Sequence, residues 1–466
     1  MFLIPYRIIY QKKHPIKDKT ILHPIILYIS FRMAEKHKIV SKESLLPFVL
    51  VTALFFLWAL PNNLNDILIP QFMKSFELTR LQAGLVQSAF YLGYFLLAMP
   101  AALIMDKYNF KTGLIIGLLL FAAGCFLFWP AAGSGRYGFF LFALFVIASG
   151  LAFLETGSNS FIAVLGDPAT SEHRLNFSQS FNPLGSMTGV LIGTVFIFSG
   201  TELSNIQTVA MKSAGTYKSY LHEEIMRVGP PYLVIGCIIL LLAFLIWRTK
   251  FPVEKKITDT KGNDKGKLKA LMHYPHFLRG IAAQFFYVGA QVGTWSFMIQ
   301  YLKDYMQKSE KEAGAMLFIS ILAFGIGRFV STALMKSIAP KKLMGAYSVI
   351  NVALCATSII MPGIIGGWAL VASSFFMSLM FPTIFALSVK GLGPNTKLGG
   401  SMIIMAIIGG AVWTPLMGFI SDKTHSMALA ITIPLISYLF IIYYSYIGST
   451  PSGPLYEAPE TIATDS

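Results

Sequence analysis

Charge is what this sequence has least of. Only 13% of its 466 residues are Asp, Glu, Lys or Arg, against about 25% in a water-soluble domain. So few charges cannot cover a water-facing surface on a chain of this length, which argues against a soluble enzyme or binding module. Cysteine is scarce too. Cys125, Cys237 and Cys355 each stand alone in an apolar run. Their spacing offers no disulfide framework, redox pair or thiolate metal site, so each reads as a small hydrophobe. The eight histidines are scattered through loops and tails. A catalytic His/Asp pair or metal cluster at a membrane face is therefore not expected, and a membrane enzyme or receptor is only a remote alternative. No zinc-finger, RNP or helix-turn-helix pattern is present, so the net charge of +15 needs a source other than nucleic acid.

What the chain does have is hydrophobic length. Apolar runs long enough to cross a bilayer as helices are expected at 46–72, 83–105, 113–133, 138–165, 175–199 and 230–249. After a polar gap come 278–302, 313–337, 343–362, 366–389, 398–420 and 426–447. Lipid offers no water to open backbone groups, so these runs must be helices. The short alternating segments of an outer-membrane barrel do not occur. The gap contains KKITDTKGNDKGKLK and reads as a solvated linker. The expected organisation is an N-terminal segment 1–44, a six-helix half 45–249, a linker 250–276, a second six-helix half 277–447 and a tail 448–466.

Charge placement orients these spans. With the N-terminus cytoplasmic, segments on the inside carry 26 of the 37 Lys and Arg, those outside carry ten, and Arg328 lies within a span. This follows the positive-inside rule and puts both termini and the linker in the cytoplasm. Residues 21–31 are apolar but too short to span, and no small-residue cleavage site follows. The expected true start is Met33.

The halves repeat. FLWALPNNLNDILIPQF from Phe56 falls on FYVGAQVGTWSFMIQYL from Phe286, 230 residues on. The same offset carries Met105 onto Met335 and Cys125 onto Cys355. Two six-span repeats joined by a polar linker resemble the major facilitator layout, in which a substrate site lies between the halves near mid-membrane. The polar turn Asp106–Lys111 sits where that superfamily carries a charged gate latch, which makes Asp106 and Lys107 candidate gating residues.

Twenty of the 22 acids fall in loops, tails or span ends; only Asp66 and Glu155 lie within spans. A charge in the bilayer costs several kcal/mol and marks function by default. A carboxyl in a dry cavity can take a proton from one side and release it on the other, and it can accept bonds from sugar hydroxyls. Arg328 is a structural or gating candidate that pairs or snorkels. Amides surround the acids. Asn62, Asn63 and Asn65 precede Asp66, and Asn159 follows Glu155 by one turn. Gln179 and Asn182 share a helix face. Gln87 and Tyr91, and Gln291 and Trp295, are i, i+4 pairs. Any one amide could be helix–helix glue. A convergent set suits a polyhydroxylated ligand, with Trp295 stacking on its apolar face.

Those residues also carry a resemblance. NNLNDILIPQF, GLVQSAFYLGYF, FLETGSNSF, RLNFSQSFNPLG, YVGAQVGTWSF, FPTIFAL and IIGGAVWTPLMGFISD resemble the L-fucose/proton symporters over about residues 44–445. The resemblance implies an all-α major facilitator fold and a proton-coupled monosaccharide importer of the inner membrane. It ties Asp66 to proton coupling, Glu155 to coupling and sugar binding, and Gln179 and Asn182 to the sugar. The chain departs from the pattern at Phe381, where the symporters have Tyr, and at Gly157, Ser158 and Ser160. The expected cargo is L-fucose, with another hexose or an amino sugar as the alternative. The expected coupling ion is H⁺ with no other cofactor; Na⁺ is the alternative, since Asp66 and its neighbouring Asn oxygens could hold it. The expected partners are the sugar and the lipid bilayer, with no nucleic acid and no obligate protein partner.

Overall fold

The computed structural model describes residues 40, 44–165, 171–252, 270–335, 337–392 and 395–452. The start at Met33, most of the linker and the tail beyond 452 lie outside the described residues. In the first half, α1 (Leu45–Ser75), α2 (Arg80–Lys107), α3 (Phe110–Ser134) and α4 (Tyr137–Val164) are followed by α5 (Ser171–Gln179) and α6 (Phe181–Ile192). Then come α7 (Asn205–Ser213), α8 (Tyr217–Met226) and α9 (Gly229–Arg248). The second half holds α10 (Pro275–Met306), α11 (Glu310–Leu334), α12 (Pro340–Ile360), α13 (Ile364–Met377), α14 (Met380–Val389), α15 (Thr396–Met405), α16 (Gly409–Thr424), α17 (Met427–Ala430) and α18 (Thr432–Tyr443). Pairs α5/α6, α13/α14, α15/α16 and α17/α18 each form one crossing, broken near the middle or at one end.

Eleven crossings among the described residues are long and apolar enough to span a membrane. The twelfth, α10, is long enough at 32 residues but more polar. Its Gln284, Thr294 and Ser296 are buried inside the protein and not turned to lipid. The expected twelve spans are therefore present as helices. The stretch between the fifth and sixth expected spans folds into α7 and α8. A reciprocal cap between Ser204 and Gln207 starts α7.

Lipid-facing positions carry large apolar side chains, such as Phe196, Phe244, Phe329 and Ile364, all exposed. Between helices that exposure buys nothing, because lipid is as apolar as Leu; close packing and polar contacts hold the bundle instead. Gly150 of α4 illustrates the packing: a Cβ there would meet the Gly117 carbonyl oxygen and the Phe121 nitrogen of α3 at 2.5 Å. Helix α1 runs through the centre of the first half, with Leu54, Phe55, Leu64, Ile67, Leu68 and Phe72 fully buried. Its Pro61 and Pro70 lie inside the helix, a placement tolerated where neighbours satisfy the freed backbone groups.

The two ends of the bundle differ. One end carries the start of α1, the end of α9, the start of α10 and residue 452, the last one described, and is called the linker face; the other carries the α1–α2 connection, the turn face. On the linker face, Lys111 donates to the carbonyls of Trp247 (2.8 Å) and Thr249 (2.9 Å), joining α3 to α9. Buried His276 bridges the Lys390 carbonyl (2.8 Å) and Ser452. On the turn face the halves are bonded to each other. Lys74 pairs with Glu310 at 2.9 Å and Arg80 with Asp304 at 2.5 Å. Asp422 accepts from the backbone N–H groups of Arg80 and Leu81 at the start of α2. Gly84 of α2 abuts Pro415 of α16, where a Cβ would come within 2.8 Å of backbone.

Candidate functional site

A cavity of about 220 Å³ lies between the halves. Helical periodicity supplies its walls. On α1, Trp58, Asn62 and Asp66 recur every four residues and so share one face. On α2, Gln87, Tyr91 and Tyr94 do the same, and Glu155 enters from α4. Asn182 and Ser186 come from α6. Across the gap, α10 contributes Tyr287, Gln291 and Trp295, α11 contributes Phe324 and Arg328, and α14 contributes Phe381. Acids and amides thus crowd the first half, while the second half is mainly aromatic with one cation.

The two acids have different surroundings. Asp66 is 3% exposed. Its Oδ1 accepts from Ser296 Oγ (2.9 Å) of α10 and from Gln87 Nε2 (3.1 Å) of α2. The second Gln87 amide hydrogen goes to Ser296 Oγ at 2.8 Å, closing a triangle. Asn65 reaches Gln87 Oε1 at 3.5 Å, a weak contact. Glu155 is half-buried and faces the Tyr94 hydroxyl. That hydroxyl is buried without a well-formed hydrogen bond, so the geometry leaves Glu155 and Tyr94 close but not locked.

On the opposite wall Trp295 is fixed. Its indole N–H donates to Ser374 Oγ (2.9 Å), which bonds Ser320 at 2.6 Å. Its ring meets Phe324 edge-on at 5.2 Å, and the Arg328 guanidinium lies 5.0 Å over the other end of this aromatic array, against the Phe324 ring. The Arg328 Nε is buried with no partner. Phe381 packs at 6.5 Å against Tyr287, whose hydroxyl bonds the Met377 carbonyl. An indole held flat against a small chamber, facing acids and amides, can take a compact ligand with one apolar face and several hydroxyls.

The structure brings most of the sequence candidates together. Asn62, Asn63, Asp66, Gln87, Tyr91, Glu155, Asn182, Gln291, Trp295, Arg328 and Phe381 all line the chamber. Asn63 turns its amide N–H to its own helix, bonding the Ala59 carbonyl. Asn159 and Gln179 bond each other at 3.3 Å but are not among the lining residues. Ser180 separates α5 from α6 but keeps right-handed helical dihedrals, and of the pair Gln179 and Asn182 only Asn182 reaches the chamber wall. Asp106 and Lys107 are exposed at the linker face. Sequence reasoning missed Trp58, Tyr94, Ser186, Tyr287, Phe324 and Ser296. Trp58, Ser186, Tyr287 and Phe324 each carried a signal, a four-residue spacing from Asn62, Asn182, Gln291 and Arg328 respectively.

Comparison with known proteins agrees with the fold. The profile of the Major Facilitator Superfamily matches residues 50–397. The L-fucose-proton symporter of Escherichia coli is 42% identical over 420 residues, covering 89% of this chain and 96% of that protein. A putative glucose/galactose transporter of Helicobacter pylori is 35% identical, covering 85% of this chain and 95% of its own. The solved structure of the E. coli fucose symporter in the outward conformation is 42% identical, with a TM-score of 0.65 over 86% of this chain and 97% of that one.

Proposed function

The chain belongs to the L-fucose/proton symporter family of the major facilitator superfamily, and from that premise we propose that it imports L-fucose together with a proton by alternating access. The observation that carries this reading is Asp66. It is a buried carboxyl on the wall of a chamber between two halves, at the end where those halves are bonded shut. A group so placed meets one side of the membrane when the turn face opens and the other when it closes.

The linker face is cytoplasmic in this reading, as the Lys and Arg distribution requires, and the membrane is the inner membrane. The structure then corresponds to a state closed to the outside. Ile404, on the chamber wall towards the linker face, is 39% exposed, which supports an inward opening. Asp66 carries the coupling proton. Glu155, Asn62, Asn182 and Gln291 bond the sugar hydroxyls, and Trp295 stacks on its apolar face. Asn159 and Gln179, paired at the inner mouth, meet the sugar on its way out. Asp106 and Lys107 form the inner latch in the opposite state.

In proteoliposomes an imposed inward proton gradient should drive accumulation of labelled L-fucose. Unchanged accumulation after Asp66→Ala would reject the coupling role. A second cargo is supported by Phe381, which leaves that wall without a hydroxyl, and by the glucose/galactose relatives. A sugar panel by thermal shift, at two pH values with and without Na⁺, ranks the cargo and the coupling ion together.

A further inference from the structure

Asp66 lies in the first half, yet one of its two hydrogen bonds comes from the second, through Ser296 Oγ at 2.9 Å. Ser296 is fully buried. It sits on α10 one residue after Trp295, so the two side chains diverge: the indole faces the chamber while the hydroxyl faces α1 and α2. Among the described residues, Ser296 makes the only hydrogen bond from the second half to this carboxyl, and the contact requires the turn face to be shut.

We propose that Ser296 is a positioning residue for proton release, completing the site that receives the ionised Asp66 carboxylate only when the outer gate is closed. This rests on the reading of the chain as a proton symporter. The chemistry is one of counting donors. Once the proton has left, the carboxylate is an acceptor only, and it is sealed away from outside water. Gln87 Nε2 and Ser296 Oγ both point hydrogens at its Oδ1. Charge-assisted bonds of this kind stabilise the ion roughly twice as well as neutral ones. The Gln87–Ser296 bond spends the remaining amide hydrogen on the serine oxygen, so the hydroxyl hydrogen is left for the acid. In this arrangement both bonds at Oδ1 are donated to the acid, which is what the ionised carboxylate needs. Other titratable groups facing the chamber are Tyr91, Tyr94 and Glu155 on the same half and Tyr287 and Arg328 across it; none of them makes a described hydrogen bond to Asp66.

The consequence separates two kinds of transport. Exchange of sugar across the membrane needs no proton release, because the loaded carrier shuttles back and forth. Net uptake needs the proton to leave on the inside before the empty carrier returns. Reconstituted Ser296→Ala should therefore keep L-fucose binding and exchange near the parent level. Its gradient-driven accumulation should fall by about tenfold or more, the effect of one lost bond to a buried ion. Raising the luminal pH should recover part of that loss, and Ser296→Thr, which keeps the hydroxyl, should recover more. Ser296→Cys, of nearly the same size but a weak donor, carries the same expectation as Ser296→Ala if the alanine variant folds poorly. Parental accumulation in the variants overturns the proposal, and so does loss of exchange in step with accumulation. If the parent itself shows no proton-driven uptake of L-fucose, the symport reading fails first, and that result is distinct from either.

Discussion

A single carboxyl illustrates what one residue can reveal. Asp66 and Glu155 were legible in the sequence because a charge inside an apolar run is costly and rare, and both line the chamber. The aromatic wall was not legible. Tyr287 and Phe324 share a helix face with Gln291 and Arg328, but they stand in runs where Tyr and Phe also serve as packing, and that spacing alone does not separate the two uses. Ser296 was invisible for the same reason, since its role depends on a partner 230 residues away. Three substitutions follow from the geometry. Asp66→Asn keeps an acceptor for Ser296 but cannot carry a proton, so sugar exchange should persist while gradient-driven accumulation is abolished, measured in the same vesicles. Trp295→Ala removes the stacking platform and should weaken sugar binding by about tenfold, on the scale of 1–2 kcal/mol for an aromatic contact; isothermal titration reads it. Phe381→Tyr adds a hydroxyl beside Tyr287 and should change the ranking of hexoses in a thermal-shift panel by more than it changes protein stability.

Helices move as units, and their crossings decide what can close. The α2–α16 crossing holds the halves together where Gly84 meets Pro415 backbone. Gly84→Leu has no room there, yet both helices retain their contacts within their own halves. The variant should fold, bind sugar from outside and fail to transport, with cysteines at the turn face labelled faster than in the parent. Normal transport by Gly84→Leu would mean the crossing is not a closing contact. Helix positions themselves were readable from hydropathy to within a few residues, because apolar length is an additive property of the sequence. Breaks were harder to see. The interruption at Ser180 between α5 and α6 lies three residues before Pro183, which lacks the N–H that would bond the Gln179 carbonyl, and Gln179 bonds Asn159. The helices α7 and α8 have little apolar length, so a search for spans passes over them.

At the scale of the whole molecule, the two halves are clasped by charge at one end. Glu310, 1% exposed, accepts from Lys74 of the first half (2.9 Å) and Lys303 of its own (3.1 Å). Lys74 also pairs with Glu224, and Lys303 with Glu202. Glu310→Gln leaves each lysine one acid, so the closed state should lose about 2 kcal/mol, the range for a hydrogen bond to a charged group. Spin labels placed on the turn face of each half should then report a population at longer separation, and an unchanged distance distribution would count against the clasp. The set of spans and the fold they build were readable because apolar length is written directly into the sequence. The direction in which the chamber opens was not, since both states use the same residues. The polarity of α10 has one more consequence, for how the chain reaches the membrane. A helix that buries Gln284, Thr294 and Ser296 inside the finished protein partitions into lipid less readily on its own than its neighbours do. Its insertion should therefore depend on the helices that precede it, so that the second half enters the membrane poorly without the first.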